Sequence, residues 1–448
     1  MNHLAHRIPV IPWLTALLVL AMGPVLAQDE ESPEPSIVED DAEVADEFVC
    51  PEADNDEELE DADQRCLKLE RAEVDDTADI DTDSTIDTGQ TERGFVFSGD
   101  FRPLINYLDR TNRADEDLTE TTAQARIRLK GAARFTDLIG VGARIAGRCS
   151  SDECDLEWIN DRSTPQQNGL QHGQFTFDEF YVHFFQTDRF DLTLGRQQTR
   201  MVLRGGVFSR SLDRNNSNNT NITWTDGLHF ALRERRGWDT HVIIDHNAAE
   251  GSGSVRRGQL DFTPSSARTS YFASTENRVP AGAIVQRSFS VTYLPNALMV
   301  DGDIDGRRDS YIGYVGRMAF RWPMQTSGPF FRGGFEVGYA PNVPTPEGAN
   351  LSTSVDKVAW NFTASIMDFK PRQNIGIFYS HTGAGWLISP NFVHNEKGFE
   401  IRYQWRPRNR PALDFRVRWR EDLEQQTTAV RKRERFDAFL RLTWQFDL

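Results

Sequence analysis

The chain has 448 residues and carries 50 Lys and Arg against 68 Asp and Glu, a net charge of −18. Its mean hydropathy is negative, and past the first few dozen residues no apolar run approaches the roughly 20 residues of a membrane-spanning helix, which excludes a helical membrane protein. Membrane strands stay open, because only alternate residues of such a strand face lipid.

At the N-terminus, Arg7 precedes an apolar stretch from Val10 to Met22, then Val25-Leu26-Ala27 and acidic Asp29 and Glu30. A positive start, a short apolar run and a small-residue cleavage pattern predict a secretory signal peptide over 1–27. Residues 28–93 follow with 27 Asp and Glu against 4 Lys and Arg. So dense a like charge with few aromatics cannot bury enough apolar surface to offset chain entropy, so an acidic, largely disordered arm is expected. From Gly94 onward 45 basic residues face 41 acidic ones, so the remainder is mildly basic.

The four cysteines fall into two local pairs, Cys50 with Cys66 and Cys149 with Cys154. In an exported chain an even count predicts two disulfides. Zinc binding fits less well, because neither pair has His or Cys neighbours at ligand spacing.

From Gly94 the chain turns into segments of alternating apolar and polar residues. Between Ala123 and Phe135, Ala125, Ile127 and Leu129 alternate with Arg126, Arg128 and Lys130. Phe399, Ile401, Tyr403 and Trp405 alternate with Glu400, Arg402, Gln404 and Arg406, and Leu413, Phe415, Val417 and Trp419 with Asp414, Arg416, Arg418 and Arg420. The last segment continues to the end, Leu440, Leu442, Trp444, Phe446 and Leu448 against Arg441, Thr443, Gln445 and Asp447. This period of two puts one set of side chains on each face of a strand. About 16 such segments follow one another, with long connections such as 106–120, 149–172, 198–221, 248–266 and 422–433 after odd strands. Tight ones such as Thr136-Asp137, Thr187-Asp188 and Pro371-Arg372-Gln373 come after even strands. A soluble sandwich also alternates but has no reason to sort connection length by parity. The expected fold is therefore all-β, a transmembrane antiparallel β-barrel over 94–448.

The segment Phe177-Asp178-Glu179-Phe180-Tyr181-Val182, with Leu192-Thr193-Leu194-Gly195-Arg196-Gln197 after a tight turn, resembles a hairpin of bacterial outer-membrane porins of the phosphate-selective and putative-porin groups. The terminal aromatic strand is similar to the signal read by barrel-assembly machinery, although that signal usually ends in an aromatic and this chain ends in Leu448. The resemblance implies residence in the outer membrane among lipid and lipopolysaccharide, and a homotrimer. It also implies an inward-folded third external loop, here Gln198 to Asn221, which makes Arg200, Arg204, Arg210, Asp213 and Arg214 candidates for a constriction.

If the apolar positions face lipid, register sends Arg126, Arg128, Lys130, Arg144 and Arg148 inward on one side of the closure, and Arg402, Arg406, Arg416, Arg418, Arg420 and Arg441 on the other. A basic wall of this kind selects small anionic solutes. Pairing with Asp100, Glu400, Asp414 and Asp437 would instead leave an unselective porin, or a plugged structural or adhesive barrel. No cofactor is expected. Asp301, Asp303 and Asp305 open like a calcium loop, but Ile312 stands where an EF-hand needs Glu, which leaves external-loop calcium binding or a polar turn. No Gly-x-Ser-x-Gly elbow or His-Glu-x-x-His motif occurs, so no enzyme is expected.

Overall fold

The computed structural model describes residues 95–136, 138–159, 170–184, 189–217, 222–233, 237–248, 255, 257–323, 328–408 and 411–447. The expected leader 1–27, the acidic arm 28–93 and Cys50 and Cys66 lie outside the described residues, as do Thr187-Asp188 and Leu448.

Among the described residues seventeen strands follow in chain order. They are β1 (Phe95–Thr111), β2 (Asp117–Arg134), β3 (Ile139–Ser150), β4 (Glu157–Trp158), β5 (Gln174–Phe184), β6 (Phe190–Gln197), β7 (Thr225–Arg233), β8 (Trp238–His246) and β9 (Thr269–Asn277). They continue as β10 (Ile284–Met299), β11 (Arg308–Trp322), β12 (Phe330–Tyr339), β13 (Val358–Lys370), β14 (Gln373–Thr382), β15 (Glu396–Trp405), β16 (Ala412–Asp422) and β17 (Glu434–Asp447). The two-residue β4 adds parallel to β5 from within a loop, while β3 pairs directly with β5. The other sixteen pair antiparallel with their neighbours, and β17 pairs with β1 from Ser98↔Asp447 to Thr111↔Glu434, so the sheet closes without an edge.

Alternation explains the closure. Ile127 and Leu129, Phe335 and Val337, Ile375 and Ile377, and Phe399 and Ile401 are all exposed on the outside, while the residues between them are mostly buried. A continuous apolar belt on a closed barrel is a lipid-facing surface, because soluble monomers do not expose apolar area on this scale. Long connections, 151–173, 198–224, 247–268, 340–357, 383–395 and 423–433, gather at one end, and the shorter ones, such as 371–372 and 406–411, at the other.

The connection expected over 106–120 is shorter than its sequence suggests. β1 and β2 run on to Thr111 and Asp117, and residues 112–116 make the turn. Asn112 Oδ1 accepts from the backbone of Ala114 and Glu116, and Thr111 Oγ donates to Asp117 Oδ1 at 2.7 Å. Beyond the apolar belt both faces of a strand are wet, so Asp109, Arg110, Thr119 and Glu120 show no alternation to read.

Candidate functional site

Inward residues of β15, β16, β17, β1, β2, β3 and β5 form one arc. Register sets Arg102 of β1 beside Arg126 of β2, and Arg126 beside Arg148 of β3. Arg402 of β15 lies beside Arg416 of β16, and Arg420 of β16 beside Arg435 of β17, which pairs with Arg110 of β1. Arg126, Arg128, Lys130, Arg144, Arg402 and Arg416 are buried, and Arg418, Arg420 and Arg441 keep 11–15% of their side-chain surface. Arg406 lies just past the end of β15 and donates to Gln404 Oε1.

Most of these cations touch carboxylates. Asp437 takes Arg418 at 3.0 Å, Arg420 at 3.2 Å and also Arg416, whose guanidinium lies 4.0 Å from the Phe439 ring centre. Arg441 meets Asp414 at 2.9 Å, Arg402 meets Glu400 at 3.2 Å, and Asp100 takes Arg126 and Arg102. Arg128 and Arg144 converge on Asp178 at 3.0 and 2.9 Å, while Lys130 and Arg144 reach Glu179 at 3.0 and 2.9 Å. Asp178 and Glu179 are adjacent in the chain, yet both are buried inside the barrel. A β-bulge makes this work, because the register with β3 slips between Arg144↔Glu179 and Ile145↔Phe177.

Arg148 is different. Its guanidinium donates to the carbonyl of Leu170 and, at 3.0 Å, to His172 Nε2, and it has no carboxylate partner among the described residues. Burial first, then Arg148 itself, holds the His172 imidazole down to about 4, so at neutral pH the ring is an uncharged acceptor. The contacting residues of β1–β3 and β5 are thus six cations, Arg102, Arg126, Arg128, Lys130, Arg144 and Arg148, against Asp100, Asp178 and Glu179, while Arg110, Arg134, Asp109, Asp117 and Glu120 lie nearer the strand ends.

Residues 198–217, which follow β6, fold into the barrel and cross to the far wall. Glu336 of β12 accepts from Ser211 Oγ at 2.8 Å, Leu212 N at 3.0 Å, Asn361 Nδ2 at 2.7 Å and Arg317 Nε at 3.0 Å. Asp213 pairs with Arg317 and accepts from Ser290 Oγ at 2.7 Å; Arg214 pairs with Asp245 and Asn247; Arg210 pairs with Glu400. These three constriction candidates therefore act as anchors to the wall. Arg200 and Arg204, with Arg332, line a small cleft beside Phe208.

A second inward loop, 383–395, locks onto the first. Trp386 Nε1 donates to Leu212 O at 3.3 Å, Ser389 Oγ to Ser211 O at 2.7 Å, and Ser211 N to Asn391 Oδ1 at 3.0 Å. Arg257 donates to the carbonyls of Ser389 and Phe392, and Tyr311 Oη donates to Gly385 O at 2.8 Å. Leu212, Phe262, Leu294, Tyr311, Trp386, Leu387 and Ile388 pack there as an apolar core inside the barrel, on the side of β10–β14. Arg418, Arg420 and Arg441, which keep part of their surface exposed, lie on the remaining arc.

Sequence reasoning missed Asp178, Glu179, Arg102, Arg317, Glu336 and Arg435. The one available signal for the first two was the broken alternation of Phe177-Asp178-Glu179-Phe180, two acids between two aromatics, which marks a bulge. The pair Cys149–Cys154 is disulfide-bonded at the mouth of β3. Asp301, Asp303 and Asp305 sit on an exposed turn closed by Gly306 N to Asp303 O and Asp305 N to Asp303 Oδ1. Among the described residues no three metal-ligating side chains converge there or elsewhere.

No family model and no curated protein matches this chain. Solved structures do. Pseudomonas putida OprB, solved at high pH, superposes with a TM-score of 0.50 at 10% identity, covering 79% of this chain and 94% of that one. An anion-selective porin from Comamonas acidovorans gives a TM-score of 0.49 at 10% identity, over 79% and 100% of the two chains. The fold is the sixteen-stranded barrel of bacterial outer-membrane porins.

Proposed function

We propose that this barrel is an outer-membrane diffusion channel with a basic passage that favours small anionic solutes. The observation that carries the reading is the cation surplus on the β1–β5 arc, completed by Arg148, which has no carboxylate partner among the described residues. The two inward loops pack mainly on the side of β10–β14 and reach the arc at β15, where Arg210 meets Glu400 and Arg402 donates to Val207 O, so a solute crossing the barrel passes along the guanidinium rows of β16–β5. Planar fork donors fit carboxylate and phosphate oxygens, and each positive group adds to the local potential.

Reversal potentials across a planar bilayer in a KCl gradient test it. Chloride preference is expected, and potassium preference by the purified barrel would overturn it. The Arg148→Gln variant should lower the anion-to-cation permeability ratio a few-fold, since one charge near a passing ion is worth roughly 1 kcal/mol even at the dielectric of water. A filled structural barrel is the second reading, favoured by the apolar core around Trp386. It predicts no steps of conductance at all.

A further inference from the structure

The end of the barrel where β1 begins is rimmed by positive charge. The short connections 135–138, 185–189, 234–237, 278–283, 323–329, 371–372 and 406–411 together contain eight Arg against three Asp and Glu. Three strands also close on a cation there, β2 on Arg134, β7 on Arg233 and β13 on Lys370. Arg189, Lys370 and Arg408 are exposed, and Arg134, Arg372 and Arg406 are half-buried. Part of this charge is already met, Arg233 by Asp191 at 3.6 Å and Arg278 by Glu276. What the rim offers a partner is therefore its summed field rather than any single contact.

The chain itself brings the complementary charge to that rim. Residues 72–92 hold eight Asp and Glu with no Lys or Arg, and they lead directly into β1. Phe95 pairs with Ala133, next to Arg134, so this segment joins the barrel on the level of the rim. A run of this length spans up to roughly 70 Å. Lys370 of β13 is five strands from β1 by way of β17, β16, β15 and β14, roughly 24 Å of sheet at about 4.8 Å per strand.

We infer that the acidic segment 72–92 docks along this arginine-rich rim, held by charge. Exposed ion pairs are each worth little, but the tether makes their formation intramolecular, so they add up at a high effective concentration. A free acidic peptide or an anionic solute has to compete with that tether. The docking holds whichever ion the lumen prefers, and it sets a row of carboxylates at the short-turn mouth.

Carbodiimide cross-linking of the full chain, folded in detergent, tests the contact, because Lys370 closes β13 at this end while Lys357 precedes that strand and Lys397 opens β15 at the other. Amide links from carboxylates of 72–92 to Lys370 are expected by mass spectrometry at about 0.05 M salt. They should fall about tenfold near 1 M, where the screening length is about 3 Å, and Lys357 and Lys397 should carry none. A mixture of isotope-labelled and unlabelled protein separates links within one chain from links between chains. Replacing three rim cations together, Arg189→Gln, Arg372→Gln and Arg408→Gln, should speed cleavage after Glu73 by a glutamate-specific protease several-fold at equal salt. Folding of that variant is checked by heat-modifiable electrophoretic migration, and should it fail to fold, the cross-links of the unmodified chain still decide. The inference is overturned by low-salt links that miss Lys370, that spread evenly over the three lysines or that form only between chains, and equally by cleavage as fast in the unmodified barrel as in the folded variant.

Discussion

Asp437 holds three guanidinium groups, Arg416, Arg418 and Arg420, with its side chain 1% exposed. Removing that acceptor leaves three buried like charges within reach of one another. Asp437→Asn is therefore expected to destabilise the barrel by about 3–5 kcal/mol, seen as a lower temperature for loss of heat-modifiable migration. In whatever fraction folds, the same change should raise chloride preference. Gly195 shows a constraint of another kind. It has φ +122° and a Cβ there would press into the Phe180 carbonyl oxygen. Gly195→Ala should reduce assembled barrel by about 1–3 kcal/mol of strain, measured as a fall in folded yield. Its neighbour Arg196 grips Asp226 with two nitrogens at 2.8 and 3.0 Å and stacks 4.3 Å from Trp224, so Leu-Gly-Arg-Gln in β6 is a packing unit as well as a porin-like signature.

The loop 383–395 gives the element scale its pH dependence. His394 is held down to about 3 by burial first, and then by Arg257, Arg113 and Arg433. A free imidazole takes a proton near 6.5, so the opened loop binds more protons than the closed one between about 6.5 and 3. Loop closure is thus fully favoured above about pH 6.5 and weakens as the pH falls through that window. Amide exchange across 383–395 should quicken between pH 7 and 4.5, and His394→Gln should flatten the dependence. The inward path of this loop was not legible in the sequence: Trp386-Leu387-Ile388 reads as one more apolar segment, and only the contacts with Leu212 and Ser211 show where it goes. Strands β15, β16 and β17 were legible, because each keeps an apolar residue at every second position across the belt. The counter-ions Asp178 and Glu179 were not, since a bulge turns two successive residues to one face and defeats a period-two reading.

On the scale of the whole molecule, register places rows of arginine side by side, a relation between strands that no single segment contains. Sequence parity sent Arg126, Arg128 and Lys130 inward; which acids meet them depends on how β2, β3 and β5 are staggered. The proposed anion preference would come from a field summed over the arc, so its reach depends on salt. The anion-to-cation permeability ratio should fall toward unity as KCl rises from 0.1 to 1 M, where the screening length shrinks from about 10 Å to 3 Å.

The seam between β17 and β1 has a consequence for assembly. Arg435 and Arg441 arrive from one end of the chain, Arg102 and Arg110 from the other, and they come within reach only when β17 pairs with β1. Closing the seam therefore drives like charges together. A multivalent anion seated between them would act as a temporary clasp, so refolding into detergent should run faster in sulfate than in chloride at equal ionic strength.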